Sequence, residues 1–109
     1  MNQSKRNGKC CYYCRRKFND EIEKTKDHVV AKSKGGLDNE ENYADCCYEC
    51  NQWKGAKTLA DWLKEVEKVQ RRGKHLVYTK IEIGQIIGNI KKLMNEIKHK
   101  TNISVYKPH

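Results

Sequence analysis

At 109 residues, 37% hydrophobic and 34% charged, the chain can form one domain but not a large apolar core, so a metal or cross-link is expected to assist folding. Lys and Arg outnumber Asp and Glu by 23 to 14, a net charge of +9; this points to a polyanionic partner, nucleic acid ahead of an anionic membrane, though a purely solubilising surface would look the same. No apolar run is long enough to span a bilayer, and the polar, basic start does not read as a secretory signal.

Residues 1–9 read as a flexible basic arm. Cys11 and Cys14 follow at the spacing of a zinc knuckle, a tight turn that aims two thiolates at one metal. Arg15 and Arg16 come directly after it, as candidate phosphate contacts or as a solvated turn. Residues 21–30 read as a first strand, with imperfect alternation. Residues 31–42 have loop composition, and Gly35-Gly36 suits a turn that needs positive backbone angles. Residues 43–46 read as a short returning strand. Cys47 and Cys50 form a second knuckle, from which a short helix is expected to carry Asn51, Lys54 and Lys57.

A further helix is expected from Thr58, which pairs with Asp61 in a variant capping box. Leu59, Trp62, Leu63, Val66 and Val69 form its apolar face, Arg71 and Arg72 suit its negative end, and Gly73 is a natural stop. Residues 74–79 form a connector. Thr79 and Glu82 open a long amphipathic helix, expected to reach about Lys98, with an isoleucine-rich stripe. Gly84 and Gly88, four residues apart, are expected to permit close packing on another segment. The stripe is either core or a surface through which the chain forms a homodimer.

The setting is expected to be cytoplasmic and reducing, where six cysteines favour metal over disulfides. Cys11, Cys14, Cys47 and Cys50 supply the four thiolates of a closed structural zinc site, which would add folding energy that the small core lacks. Cys10 and Cys46 each precede a pair and are read as free thiols or packing residues. Between the knuckles lie residues suited to phosphodiester hydrolysis. A divalent cation offsets charge on the phosphate and leaving oxygens, and a base deprotonates water. His28 is the natural base, Asp27 a hard oxygen ligand of the kind magnesium prefers, and Asn51 a neutral amide oxygen. Adjacent strand residues face opposite ways, so Asp27 and His28 share a site only if the backbone bends or the metal sits at the strand's edge.

Taken together, Asp27-His28-Val29-Val30, Gly35-Gly36, Asn42 and Cys50-Asn51, followed by Lys54-Gly55, resemble the HNH endonucleases of the His-Me finger group, and the flanking cysteine pairs resemble its zinc-containing branch. The resemblance spans roughly 11–58. It implies a small ββα-metal core on a four-cysteine zinc knuckle pair; with the two C-terminal amphipathic helices read from apolar periodicity beyond it, the chain is expected to be an α+β protein. The division that follows is arm 1–9, nuclease core 10–58 and helical basic region 59–109 packed on the core. The resemblance also implies His28 as general base, Asp27 and Asn51 as ligands of a catalytic Mg2+ or Mn2+, and Asn42 as the residue holding the backbone that orients His28. Asn51 stands where many members have His. Lys54 would lie one helical turn further on and reach a phosphate. DNA, double-stranded, is the implied substrate. The alternative is a zinc-knuckle nucleic-acid-binding module without catalysis, which leaves Asp27, His28 and Asn51 together as coincidence.

Overall fold

The computed structural model describes Arg6 and residues 8–104, with side chains through Lys98; the remaining arm residues, Val105 and Tyr106 lie outside the described residues. Strand β1 (Lys24–His28) pairs antiparallel with β2 (Tyr43–Cys47), from Lys24 opposite Cys47 to His28 opposite Tyr43. β1 is shorter than the expected 21–30 for local reasons at both ends. Before it, the Asn19 side chain accepts hydrogen bonds from the Glu21 and Ile22 amides and closes a turn. Beyond it, the Val29 amide turns to the Asn42 carbonyl and the Val30 amide to the Asn42 side chain. The intervening loop contains two single 3-10 turns, at Lys32–Lys34 and Glu40–Asn42.

Helix α1 (Tyr48–Lys54) starts where β2 ends, with the Cys47 sulfur accepting from the Cys50 amide as its N-cap. It stops at Gly55, so Lys57 lies beyond it. Helix α2 (Leu59–Arg72) begins at Thr58, whose hydroxyl accepts from the Asp61 amide at 3.1 Å, and ends at Gly73 with φ +83°. Helix α3 (Lys80–Ser104) runs past the expected end at Lys98.

α2 packs along α3, and Trp62, Val66, Ile86, Ile90 and Leu93 are fully or almost fully buried in the same cluster as the cysteines and Tyr13. Trp62 meets Tyr13 edge-on at 4.9 Å between ring centroids. The isoleucine stripe is therefore core, and it does not present a surface for a homodimer. The expectation for the two glycines is also overturned. A side-chain carbon at Gly84 or Gly88 would meet nothing within 4 Å, so neither permits a close approach among the described residues.

Candidate functional site

The two knuckles converge. The sulfurs of Cys11, Cys14, Cys47 and Cys50, all buried, lie within 4.8 Å of one another, and Cys14 Sγ is 3.8 Å from Cys47 Sγ. A tetrahedron with zinc–sulfur bonds of about 2.3 Å has corners about 3.8 Å apart, so the group can hold a metal such as zinc. Cys11 and Cys14 reach the cluster from a turn before β1; Cys47 and Cys50 reach it from the end of β2 and the first turn of α1. Hydrogen bonds from neighbouring thiols hold Cys14 down at about 7, while burial pushes Cys50 well above the usual thiol range. Cys46 is buried but points to Thr25 rather than into the cluster, and burial raises its thiol as well.

Further donors surround the sulfurs. The Arg16 guanidinium donates to Cys14 Sγ at 3.4 Å and to Cys47 Sγ and Glu49 at 3.3 Å, and it lies 4.9 Å over the Tyr78 ring. Tyr78, from the α2–α3 connector, donates to Cys50 Sγ at 3.2 Å. These donors offset thiolate charge and fix the direction of each sulfur, as groups hydrogen-bonded to metal ligands do. Arg16 is thereby committed to sulfur, not to a phosphate, which corrects the expectation for it. Arg15 stays exposed, and its side chain bonds the Cys11 carbonyl.

The end of β1 and the start of α1 frame a shallow cleft of about 270 Å³ lined by Asp27, His28 and Asn51, with Lys26 and Lys32 at its edge. Asp27 and His28 do face differently, as strand geometry requires. Asp27 is 3% exposed and His28 is half-buried, yet both border the cleft because it lies at the strand's end. Asn51 donates its amide nitrogen to Thr25 Oγ1 at 2.9 Å, an orientation that leaves its carbonyl oxygen as the acceptor.

Asp27 is held from two sides. Tyr13 donates to Oδ2 at 2.7 Å, and Lys54 Nζ lies 3.2 Å from Oδ1. Burial outweighs both partners and raises the carboxyl above its ordinary value. Lys54 is itself fully buried and also donates to the His28 carbonyl at 3.0 Å. It therefore cannot reach a phosphate, contrary to the sequence-based expectation; one helical turn after Asn51, it points inward, not out. Lys57 donates to the Trp53 carbonyl and sits 4.0 Å from Glu65.

Asn42 ties the loop to the strand's end. Its amide donates to the Val30 and Leu37 carbonyls at 3.0 and 2.9 Å, and its oxygen accepts from the Val30 amide. Gly36 passes so close to this knot that an added side-chain carbon would fall 1.7 Å from the Val30 carbonyl oxygen and 2.9 Å from Asn42 Nδ2. The backbone must move before any other residue fits there. Gly36→Ala is expected to cost about 1–3 kcal/mol in urea unfolding, the usual range for overpacking, and to loosen the loop beside His28; unchanged stability would contradict the packing described.

One residue at the site has no signal in the sequence. Asp38 accepts from His28 Nε2 at 2.7 Å, ten residues away along the chain, and from Tyr43 and Lys32. The hydrogen bond from His28 first, then those from Lys32 and Tyr43, hold its carboxyl at about 2, so it is ionised near neutral pH. Only the return of the loop reveals the pairing.

The site and fold define a class: a hairpin and helix with a cluster of four cysteines at one end and an acid, a histidine and an amide in a neighbouring cleft. A family model described as HNH endonuclease matches residues 11–67, just over half of the chain, and the chain belongs to that family. No curated protein and no solved structure matches it. No helix among the described residues is long and apolar enough to cross a membrane.

Proposed function

We propose that the protein is a metal-dependent endonuclease that hydrolyses phosphodiester bonds in DNA, double-stranded in its natural substrate. The observation that carries this is the convergence of Asp27, His28 and Asn51 on one cleft beside the four-cysteine cluster. The cysteine cluster acts as a zinc scaffold that sets the spacing of β1 against α1. The cleft's donors suit Mg2+ or Mn2+: a carboxylate whose oxygens each have one protein partner and spare lone pairs, and a neutral amide oxygen. That cation, when bound, would offset charge on the phosphate and on the departing oxygen. His28 takes the proton from the attacking water. Asn42 holds the loop against which the His28 end of β1 is set, and Lys54 fixes the His28 carbonyl and the Asp27 carboxylate together. Lys26 and Lys32, exposed at the rim, supply sequence-independent attraction to the phosphate backbone, and the exposed Arg15 adds to the positive surface.

The test is nicking or linearisation of supercoiled plasmid in magnesium or manganese, with His28→Ala beside the wild type. The variant is expected to lose at least about 100-fold in rate, the lower end of what general-base catalysis contributes, while still binding DNA. A wild type that binds plasmid but leaves it intact with every metal would establish the binding-module alternative instead.

A further inference from the structure

His28 has two ring nitrogens, and the structure commits one of them. Nε2 lies 2.7 Å from Asp38 Oδ1. The same oxygen accepts from the Tyr43 hydroxyl at 3.0 Å, and Oδ2 accepts from Lys32 Nζ at 3.2 Å. Asp38 is itself set in place by the chain, because the carbonyl of the preceding residue, Leu37, takes a hydrogen bond from Asn42. The Tyr43 ring stands edge-on to the imidazole, with centroids 5.0 Å apart. The ring is thus braced by a carboxylate on one edge and an aromatic on another.

We propose that Asp38 is a positioning residue that selects the working tautomer of His28. An ionised carboxylate only accepts hydrogen bonds, so the nitrogen facing it must carry the proton. That leaves Nδ1 as the lone pair that receives the proton from water. The carboxylate also balances the charge of the imidazolium that forms when Nδ1 is protonated, and Nε2 keeps its own proton throughout. Stabilisation of the fold does not account for the pair, since its side chains are 29% and 55% exposed and even a fully charged exposed pair contributes little. The catalytic consequence rests on the nuclease reading; the tautomer does not.

Two measurements on the full, zinc-loaded chain test the proposal. The first is nitrogen–proton NMR of the His28 ring at about pH 8, where an ordinary histidine is neutral. The wild type should show a protonated Nε2 with its proton moved to low field by the carboxylate, and Asp38→Ala should lose that shift. The second is single-turnover cleavage of plasmid. Asp38→Ala should be slower by about 10–100-fold, the range seen when the partner that orients a metal-ligating histidine is removed, with DNA affinity unchanged. Asp38→Asn keeps an acceptor oxygen but no charge and should fall between. Tyr43→Phe breaks another bond to Asp38 but keeps the ring beside His28, and it should cleave close to the wild-type rate if the His28 contact is what matters. The proposal is overturned if wild-type Nε2 carries no hydrogen-bonded proton, or if Asp38→Ala cleaves at the wild-type rate. A wild type that shows the bonded proton but cleaves nothing supports the tautomer and sinks the nuclease reading.

Discussion

Cys50→Ser is expected to abolish cooperative unfolding. The half of the protein that carries the cysteines is built on a two-stranded sheet, which by itself is marginal in water. The four sulfurs tie the turn before β1 to the end of β2 and the first turn of α1, and through Tyr78 to the α2–α3 connector. A structural zinc contributes on the order of 10–16 kcal/mol in small zinc domains, against the roughly 5–15 kcal/mol net stability of an ordinary domain. Losing one ligand therefore removes about as much as the fold has. Strong chelation of the wild type should act in the same direction. Cys46→Ser is the control: its buried thiol lies outside the cluster, so zinc content should persist at a cost of about 1–3 kcal/mol for a buried hydroxyl. Metal analysis after dialysis, with circular-dichroism melting, separates the cases. A Cys50→Ser protein that keeps its zinc and melts like the wild type would remove the scaffold role.

Lys54→Met should destabilise the protein by about 3–5 kcal/mol, because breaking a buried pair leaves an uncompensated charge. The buried partner is Asp27, which keeps only its Tyr13 hydrogen bond, and the His28 carbonyl loses its donor in the same step. The double change Lys54→Met with Asp27→Asn should recover much of the loss, since no charge is then buried while the bond from Tyr13 survives. The pH dependence has a definite sign. Burial already holds the Asp27 carboxyl above its ordinary value, and removing the cation raises it further. A carboxyl whose folded-state value lies above its unfolded one favours the fold most when protonated and loses that advantage as pH rises through the gap. The deficit of Lys54→Met relative to wild type should therefore narrow as pH falls toward the ordinary carboxylate range. Denaturant unfolding at several pH values reads this directly; a deficit that is absent at neutral pH, or that widens in acid, would show that the pair is not what holds Asp27.

Much of this was legible because the relevant physics is local. A knuckle spans four residues, as does a capping box, and a helical stripe repeats over two turns. So Cys11 to Cys14, Cys47 to Cys50, the start of α2 at Thr58 and its stop at Gly73 can all be read from neighbouring residues. The errors came where a side chain's partner is distant. Lys54 reads as a surface lysine until β1 folds across α1 and brings Asp27 and the His28 carbonyl to it. Arg16 reads as a phosphate contact until two sulfurs, one of them 31 residues away, claim its guanidinium. β1 loses its expected ends to Asn19 and Asn42, whose side chains compete with the ladder for backbone amides. Gly84 and Gly88 suggest a close contact, but spacing cannot say which way a helix face turns.

The order of residues was enough to establish which chemistry the chain can hold: four thiolates in two pairs, and a nearby acid, histidine and amide. Ligand type and short spacing are properties of the covalent chain, and they survive without knowledge of the fold. Which nitrogen of His28 meets Asp38, which lysine is buried and which arginine is committed to sulfur were settled only when the hairpin closed. Each depends on a group brought close from elsewhere in the chain, and that closeness exists only once β1, its loop and α1 are packed together.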